Sequence, residues 1–148
     1  MTILKGIPRI LPPRLLYVLA SMGHGDEIVL ADANFPAASV AKDQNCELIH
    51  CDSLTVPELL QAICQLLPLD TAYADYPAAV MQVTPQDVGK VETPIWDTFT
   101  EIMTRAEHND DNNNHKGRDT IQLEQVERFA FYERAKKAFA VVSTGESA

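Results

Sequence analysis

Residues 23–36 read GHGDEIVLADANFP, and this stretch indicates the fold class more clearly than any other part of the chain. Glu27 to Ala31 is a short apolar run with β-branched residues at Ile28 and Val29, and polar residues bound it on both sides. Such a run is typical of a strand that is buried on both faces, as in a parallel sheet. The sequence therefore predicts a buried strand with Asp32 at its carboxyl end.

Helical and strand patterns alternate on both sides of this strand. Upstream, Pro12 and Pro13 begin a helix that Gly23 ends. Downstream, the patterns predict a strand at 46–51, a helix with a capping box at Thr55 and Glu58, a strand at 78–83, a helix from Pro94, a loose strand at 121–128, a helix at 129–138 and a strand at 139–143. Such alternation predicts an α/β protein, a single-domain three-layer sandwich over residues 1–148 with a mostly parallel sheet.

One stretch does not fit this alternation. Residues 108–120 read HNDDNNNHKGRDT and include no aliphatic or aromatic residue. Such a segment cannot bury enough apolar surface to offset the entropy of ordering it. We expect a flexible surface insertion here, within the single domain.

Charge and cysteine content narrow the class of protein. Asp and Glu number 21 against 12 Lys and Arg, which gives a net charge of −9 and disfavours nucleic acid and anionic membrane surfaces as partners. No stretch approaches the roughly 20 apolar residues of a membrane span, and we find no signal peptide. Cys46, Cys51 and Cys64 form an odd set without CxxC spacing, as in reduced proteins. We expect a cytoplasmic protein.

His24 and Asp32 are the residues whose spacing most favours chemistry. Ligands of open α/β sheets gather at the carboxyl ends of strands, so we expect Asp32, and His24 in the loop that enters the strand, to face one pocket. An imidazole can give or take a proton near neutrality, and a carboxylate can accept hydrogen bonds from sugar hydroxyls. The alternatives are structural: a His between two glycines in a turn, and an Asp that caps one.

Two further readings of these segments carry less weight. A metal site of His24, Asp26 and Asp32 has carboxylates but no second His or Cys ligand nearby. His50 and Cys51 resemble a catalytic thiol pair, but neighbours along a strand point to opposite faces.

Arg128 is a candidate binding residue because it precedes the aromatic residues of FAFY. Its guanidinium offers five donors to sugar oxygens. The structural alternative is a surface ion pair with Glu124 or Glu127.

Two long segments carry a resemblance to a known family. Gly23 to Ala37, and ERFAFYERAKKAFAVVSTGE at 127–146, resemble the fucose mutarotase branch of the family that also contains the ribose pyranases. LKGIP at 4–8, LLPLDT at 66–71 and PAAVM at 77–81 extend it over nearly the whole chain. The resemblance implies an isomerase that interconverts the α and β anomers of L-fucose by ring opening and reclosure, without a cofactor or metal. It also implies a homo-oligomer, often a decameric ring, with sites near subunit interfaces.

The resemblance also implies roles for particular residues. His24 matches the proton donor of the family, and Asp32 matches a carboxylate that binds sugar hydroxyls. The other ligand-contacting positions that match are Asp70, Met81, Arg128 and Tyr132. Met81 or Phe35 would suit the methyl group of a 6-deoxy sugar, and ordinary core packing is the alternative for both.

The sequence departs from the family pattern in three places. After STGE at 143–146 the family continues into a strand with Tyr-Gly-Asn, whereas this sequence stops at Ala148; His50-Cys51 replaces the usual Arg-Ala; and the Asn-rich stretch is longer. These departures leave a second hypothesis open, a non-catalytic relative that binds a monosaccharide or only forms oligomers. A ribose pyranase is the third.

Overall fold

The computed structural model describes residues 2–42, 46–109 and 120–147, and these form five helices and five strands in alternation. In chain order they are α1 (Pro13–Ser21), β1 (Ile28–Ala31), α2 (Ala37–Ala41), β2 (Glu47–Cys51), α3 (Val56–Cys64), β3 (Ala78–Met81), α4 (Pro94–His108), β4 (Leu123–Val126), α5 (Arg128–Lys136) and β5 (Ala140–Thr144). The predicted strand at EIVLA is β1, with Asp32 directly after it.

Three strands form a parallel sheet in the order β1-β5-β2. Ala140 of β5 is in register with Ile28 of β1 on one side and with Glu47 of β2 on the other. Side chains 140–142 of β5 are completely buried. A continuous apolar run is what a central parallel strand needs, because both of its faces are covered.

Helices cover both faces of this sheet. Strand side chains alternate between faces, and one set packs with α1 and α3, the other with α2 and α5. The first set includes Ile28, Leu30, Ile49, Ala140 and Val142, and the second includes Val29, Ala31, Leu48 and Val141. This arrangement is the predicted three-layer α/β sandwich.

The other two strands pair with each other and form a separate parallel sheet. In this small sheet Ala78 of β3 is in register with Leu123 of β4, and Met81 with Val126. The strands are therefore parallel throughout, but they make two sheets where the sequence predicted one. Helix α4 packs against α3, on the outside of the larger sheet.

Local sequence explains most helix boundaries. The Thr55 hydroxyl accepts a hydrogen bond from the Glu58 N–H and the Glu58 carboxylate accepts from the Thr55 N–H, so the predicted capping box is present at α3. The Glu127 carboxylate accepts from the N–H groups of Phe129 and Ala130, so α5 begins at Arg128. The predicted strand at 121–128 therefore ends two residues early, at Val126.

The structure differs from the prediction at two other places. Helix α2 was not predicted, because it has only five residues and no side-chain cap. His108 lies at the end of α4, so the first residue of the predicted insertion is helical. Residues 110–119 of that insertion lie outside the described residues.

The three thiols are free. Burial raises the pKa of all three, and it raises that of Cys64 to about 12 with a smaller contribution from the charge of Glu107. Within the described ranges, no helix is long and apolar enough to cross a membrane.

Candidate functional site

Asp32 holds the turn that follows β1. Its Oδ1 accepts hydrogen bonds from the N–H groups of Asn34 at 2.8 Å and Phe35 at 2.9 Å. The structural role that the sequence offered as an alternative is therefore present. The turn also fixes the carboxylate at the carboxyl edge of the large sheet.

Aromatic contacts join this turn to α5. The Phe35 ring lies 6.0 Å from that of Phe131 and 5.6 Å from that of Tyr132, between centroids. The Arg128 Nε donates to the Tyr132 hydroxyl at 3.4 Å, and the guanidinium lies 5.8 Å from the ring centroid. We call Asp32, Phe35, Arg128 and Tyr132 the Asp32 group.

The ion pairs that the sequence offered for Arg128 are not formed. Glu124 pairs with Arg134 instead, and the carboxylate of Glu127 caps α5. The hydrogen bond with Tyr132 is the main cause of a raised pKa at Arg128. Arg128 thus stays positively charged at the exposed start of α5.

Met81 is the last residue of β3, at the end of the small sheet where β4 leads into α5 and Arg128. It is in register with Val126, and the Gln82 N–H donates to the Val126 carbonyl at 2.7 Å. Helix α5 begins two residues after Val126. The backbone at Met81 therefore lies beside the segment that leads to Arg128.

His24 belongs to a different set of contacts. Its Nδ1 lies 3.4 Å from Oδ1 of Asp70, an ion pair whenever the imidazole is protonated. Its ring lies 5.0 Å from that of Tyr73, with an angle of 70° between the planes. We call His24, Asp70 and Tyr73 the His24 group. The carboxylate faces Nδ1, which leaves Nε2 as the nitrogen that can meet a ligand.

Two loops bring the His24 group together. His24 lies between α1 and β1, where Gly25 has a φ of +81° and the Gly23 N–H donates to Asp26 Oδ2 at 2.8 Å. Asp70 and Tyr73 lie between α3 and β3. Sequence reasoning missed Tyr73, although an aromatic residue three positions after a candidate carboxylate is the signal that could have found it.

The two groups lie at opposite ends of β1. His24 comes four residues before this strand and Asp32 directly follows it, and the strand alone spans about 10 Å at the usual rise per residue. Within the described ranges, no hydrogen bond, ion pair or ring contact joins His24 to Asp32. The structure therefore does not bring His24 and Asp32 into contact within one chain, and that they face one pocket stays a prediction.

His50 takes part in a third cluster, at the carboxyl edge of the large sheet. Its Nδ1 lies 3.0 Å from Ser143 Oγ and 3.3 Å from Asp52 Oδ2, and the Ser143 hydroxyl donates to Asp52 Oδ1 at 2.5 Å. Because Ser143 donates to the carboxylate, His50 does not activate it as a nucleophile. His50 is exposed and Cys51 buried, so they face opposite ways, as predicted.

Neither the metal alternative nor the cavity along α4 coincides with these groups. Asp26 is engaged by the Gly23 N–H, and the described part of the chain has no cluster of three or more His, Cys, Asp or Glu suited to a metal ion. A shallow cavity of about 570 Å³ runs along α4. It is lined by Asp97, Thr100, Glu101, Thr104, Arg105, His108, Asn109 and Thr120, none of which belongs to either group.

Comparison with known proteins gives a consistent result. Residues 5–148 match the model of the RbsD / FucU transport protein family. The chain is 56% identical to the fucose mutarotase of Danio rerio and 51% identical to that of Homo sapiens. Both alignments cover 100% of this chain and 88% of the relative.

A solved structure matches the fold at similar coverage. The crystal structure of the fucose mutarotase from Streptococcus pneumoniae in complex with L-fucose is 42% identical, with a TM-score of 0.77. The match covers 97% of this chain and 90% of that one. A FucU structure from Bifidobacterium longum is 44% identical with a TM-score of 0.83, over 97% and 91% of the two chains.

Proposed function

Because this chain belongs to the RbsD/FucU family, we propose that it is an L-fucose mutarotase, an isomerase that interconverts the α and β anomers of L-fucose. Vertebrate relatives with that activity in their names are 51–56% identical over the whole chain. The streptococcal relative binds L-fucose in its crystal structure. The observation in this chain that carries the proposal is the pairing of His24 with Asp70 at 3.4 Å.

Mutarotation needs two proton transfers. The ring oxygen gains a proton while the anomeric hydroxyl loses one, and the bond between the anomeric carbon and the ring oxygen breaks as a carbonyl forms. Rotation of that carbonyl and reclosure on its other face give the second anomer. The reaction therefore needs a proton donor that titrates near neutral pH and groups that orient the sugar.

His24 is the proton donor in this proposal. The imidazolium gives the proton on Nε2 to the ring oxygen, a water molecule takes the proton of the anomeric hydroxyl, and both transfers reverse when the ring recloses. The Asp70 carboxylate orients the imidazole through Nδ1 and stabilises its positive charge. The side chain of His24 is 79% exposed, so a sugar can reach it. Asp70, which the family resemblance gave only as a ligand contact, thereby acquires a second role.

The Asp32 group supplies sugar binding. The Asp32 carboxylate accepts hydrogen bonds from sugar hydroxyls, and the Arg128 guanidinium and Tyr132 hydroxyl donate to sugar oxygens. Met81 offers apolar surface for the methyl group at the end of the small sheet. The fixed turn at Asp32 and the bond between Arg128 and Tyr132 support these roles, because they hold the donors and acceptors in place.

We propose that a complete site joins the His24 group of one copy of the chain to the Asp32 group of a second. The positions of the two groups before and after β1 support this, because the strand between them spans about 10 Å. The enzyme would then be a homo-oligomer, and the family resemblance favours a ring of ten. The three free thiols support a cytoplasmic location. The core that α1, α3 and the large sheet share supports a single domain.

Exchange NMR on equilibrated L-fucose tests the function, with D-ribose and D-galactose as comparison sugars. We expect the chain to accelerate anomer exchange of L-fucose most, and His24→Gln to lower the rate by about 10²- to 10⁴-fold. His108→Gln, at the far end of α4, is the matched control and should keep the rate. If wild-type protein accelerates no exchange, the chain is the non-catalytic relative; if ribose is preferred, it is a pyranase.

A further inference from the structure

We propose that Tyr73 is a positioning residue for His24: its ring holds the imidazole beside Asp70. The part that concerns turnover rests on the proposed mutarotase function. The part that concerns the ring contact does not, because it is a property of the chain without substrate. Neither the family motifs nor the spacing of the sequence pointed to Tyr73.

The contact has the geometry that aromatic rings prefer. The centroids of the two rings are 5.0 Å apart and the planes meet at 70°, an edge-to-face arrangement. The turn that carries both partners is closed by a hydrogen bond from the Ala74 N–H to the Asp70 carbonyl at 3.1 Å. This turn presents the Asp70 carboxylate and the Tyr73 ring to the same imidazole.

His24 needs such partners because its own segment does little to fix it. It lies between Gly23 and Gly25, which have no side chains to limit its rotamers. The side chain is mostly exposed, and its ring contacts Asp70 and Tyr73. Loss of Tyr73 would therefore free the imidazole to rotate about its pairing with Asp70.

The test compares Tyr73→Leu with Tyr73→Phe, and with Tyr76→Leu, which removes a ring from the same loop without touching His24. The ring signals of His24, assigned by their loss in His24→Gln, are followed by NMR without sugar. We expect Tyr73→Leu to abolish the ring-current shift of these signals, and Tyr73→Phe and Tyr76→Leu to keep it. Unchanged His24 signals in Tyr73→Leu would overturn the proposal whether or not the protein is a mutarotase.

Kinetics on L-fucose then test the consequence for turnover. At pH 7.5 we expect kcat of Tyr73→Leu to fall about two- to fivefold with KM within twofold of wild type, because the imidazole is held less well in its reactive orientation. Tyr73→Phe should restore kcat. A loss of kcat that Tyr73→Phe does not restore, or that follows dissociation of the oligomer in sedimentation velocity, contradicts the positioning role. Wild-type inactivity would defeat only the proposed function, because the NMR result stands by itself.

Discussion

The two sheets of this chain differ in how completely its own helices bury them. Four of the five residues of β5 in the large sheet are buried, whereas no residue of β3 or β4 in the small sheet is. A two-stranded sheet is marginal unless something packs against it. The large sheet thus has a buried central strand. The small sheet stays partly exposed, including the end at which we propose that Met81 and Arg128 bind sugar.

The largest expected effect is a difference in stability between leucine truncations, one beside the large sheet and one in the small sheet. Leu59→Ala removes a completely buried side chain between α3 and the large sheet, so the free energy of unfolding should fall by about 2–5 kcal/mol. Leu123→Ala in the small sheet, where the side chain is partly exposed, should cost about 1 kcal/mol. Urea unfolding measures both. Equal losses would show that the small sheet is packed as tightly as the large one.

A second prediction concerns the backbone after β5. A Cβ at Gly145 would overlap with the Asp52 carbonyl oxygen, so Gly145→Ala must displace backbone and should cost about 1–3 kcal/mol. Gly23→Ala is the matched control, since its Cβ would meet Asp26 Oδ2 at an ordinary 3.8 Å. Thermal and urea unfolding of the two variants test the difference. A neutral Gly145→Ala would mean that the carboxyl edge of the large sheet is looser than its contacts indicate.

The third prediction compares the effect of a cap substitution on stability in α3, which packs on the large sheet, and in α4, which packs outside α3. Thr55 caps α3 with its side chain, and Thr55→Ala should cost about 1 kcal/mol of stability. Thr93 stands at the same position of α4 but makes no side-chain cap, so Thr93→Ala should change the unfolding free energy by a few tenths of a kcal/mol at most. Equal losses of unfolding free energy in Thr93→Ala and Thr55→Ala would contradict the difference in capping between the two helices.

The smallest expected effect is on the acid dependence of stability at the junction of β4 and α5. Two backbone N–H groups, of Phe129 and Ala130, lower the pKa of Glu127 below its ordinary value of 4.5. The lowered folded-state pKa means that this contribution is fully present above pH 4.5 and is lost as the pH falls through the folded-state pKa. Urea midpoints of wild type and Glu127→Gln should therefore differ near neutral pH and converge in acid. A gap that stays constant with pH contradicts this.

Much of the fold could be predicted because the relevant signals are local. EIVLA has the composition of a buried strand, and Thr55 with Glu58 forms a capping box wherever such a helix begins. The division into two sheets could not be predicted, because the pairing of β3 with β4 depends on contacts between distant residues and not on any short sequence pattern. Helix α2 was missed for a different reason, because five residues are too few to show a helical period.

The candidate site residues remain predictions from the sequence, and their arrangement in space could not be predicted from it. The family motifs point to His24, Asp32, Asp70 and Arg128, and spacing alone pointed to the first two. Spacing did not reveal that the loop before β1 and the turn after it lie at opposite ends of the strand. It did not reveal Tyr73 either, because its partner is 49 positions away in the chain. Contacts between distant loops depend on the finished fold.

The central position of β5 has a consequence for the order of events during protein synthesis. β1 and β2 both pair with β5 and are separated by it, yet β5 is the last of the described strands to be made. At about 5–20 residues per second, β1 leaves the ribosome roughly 5–20 s before its partner is complete. Until β5 is made, β1 and β2 have no central strand to pair with. The large sheet therefore cannot close before synthesis has reached Thr144, however fast the earlier segments fold.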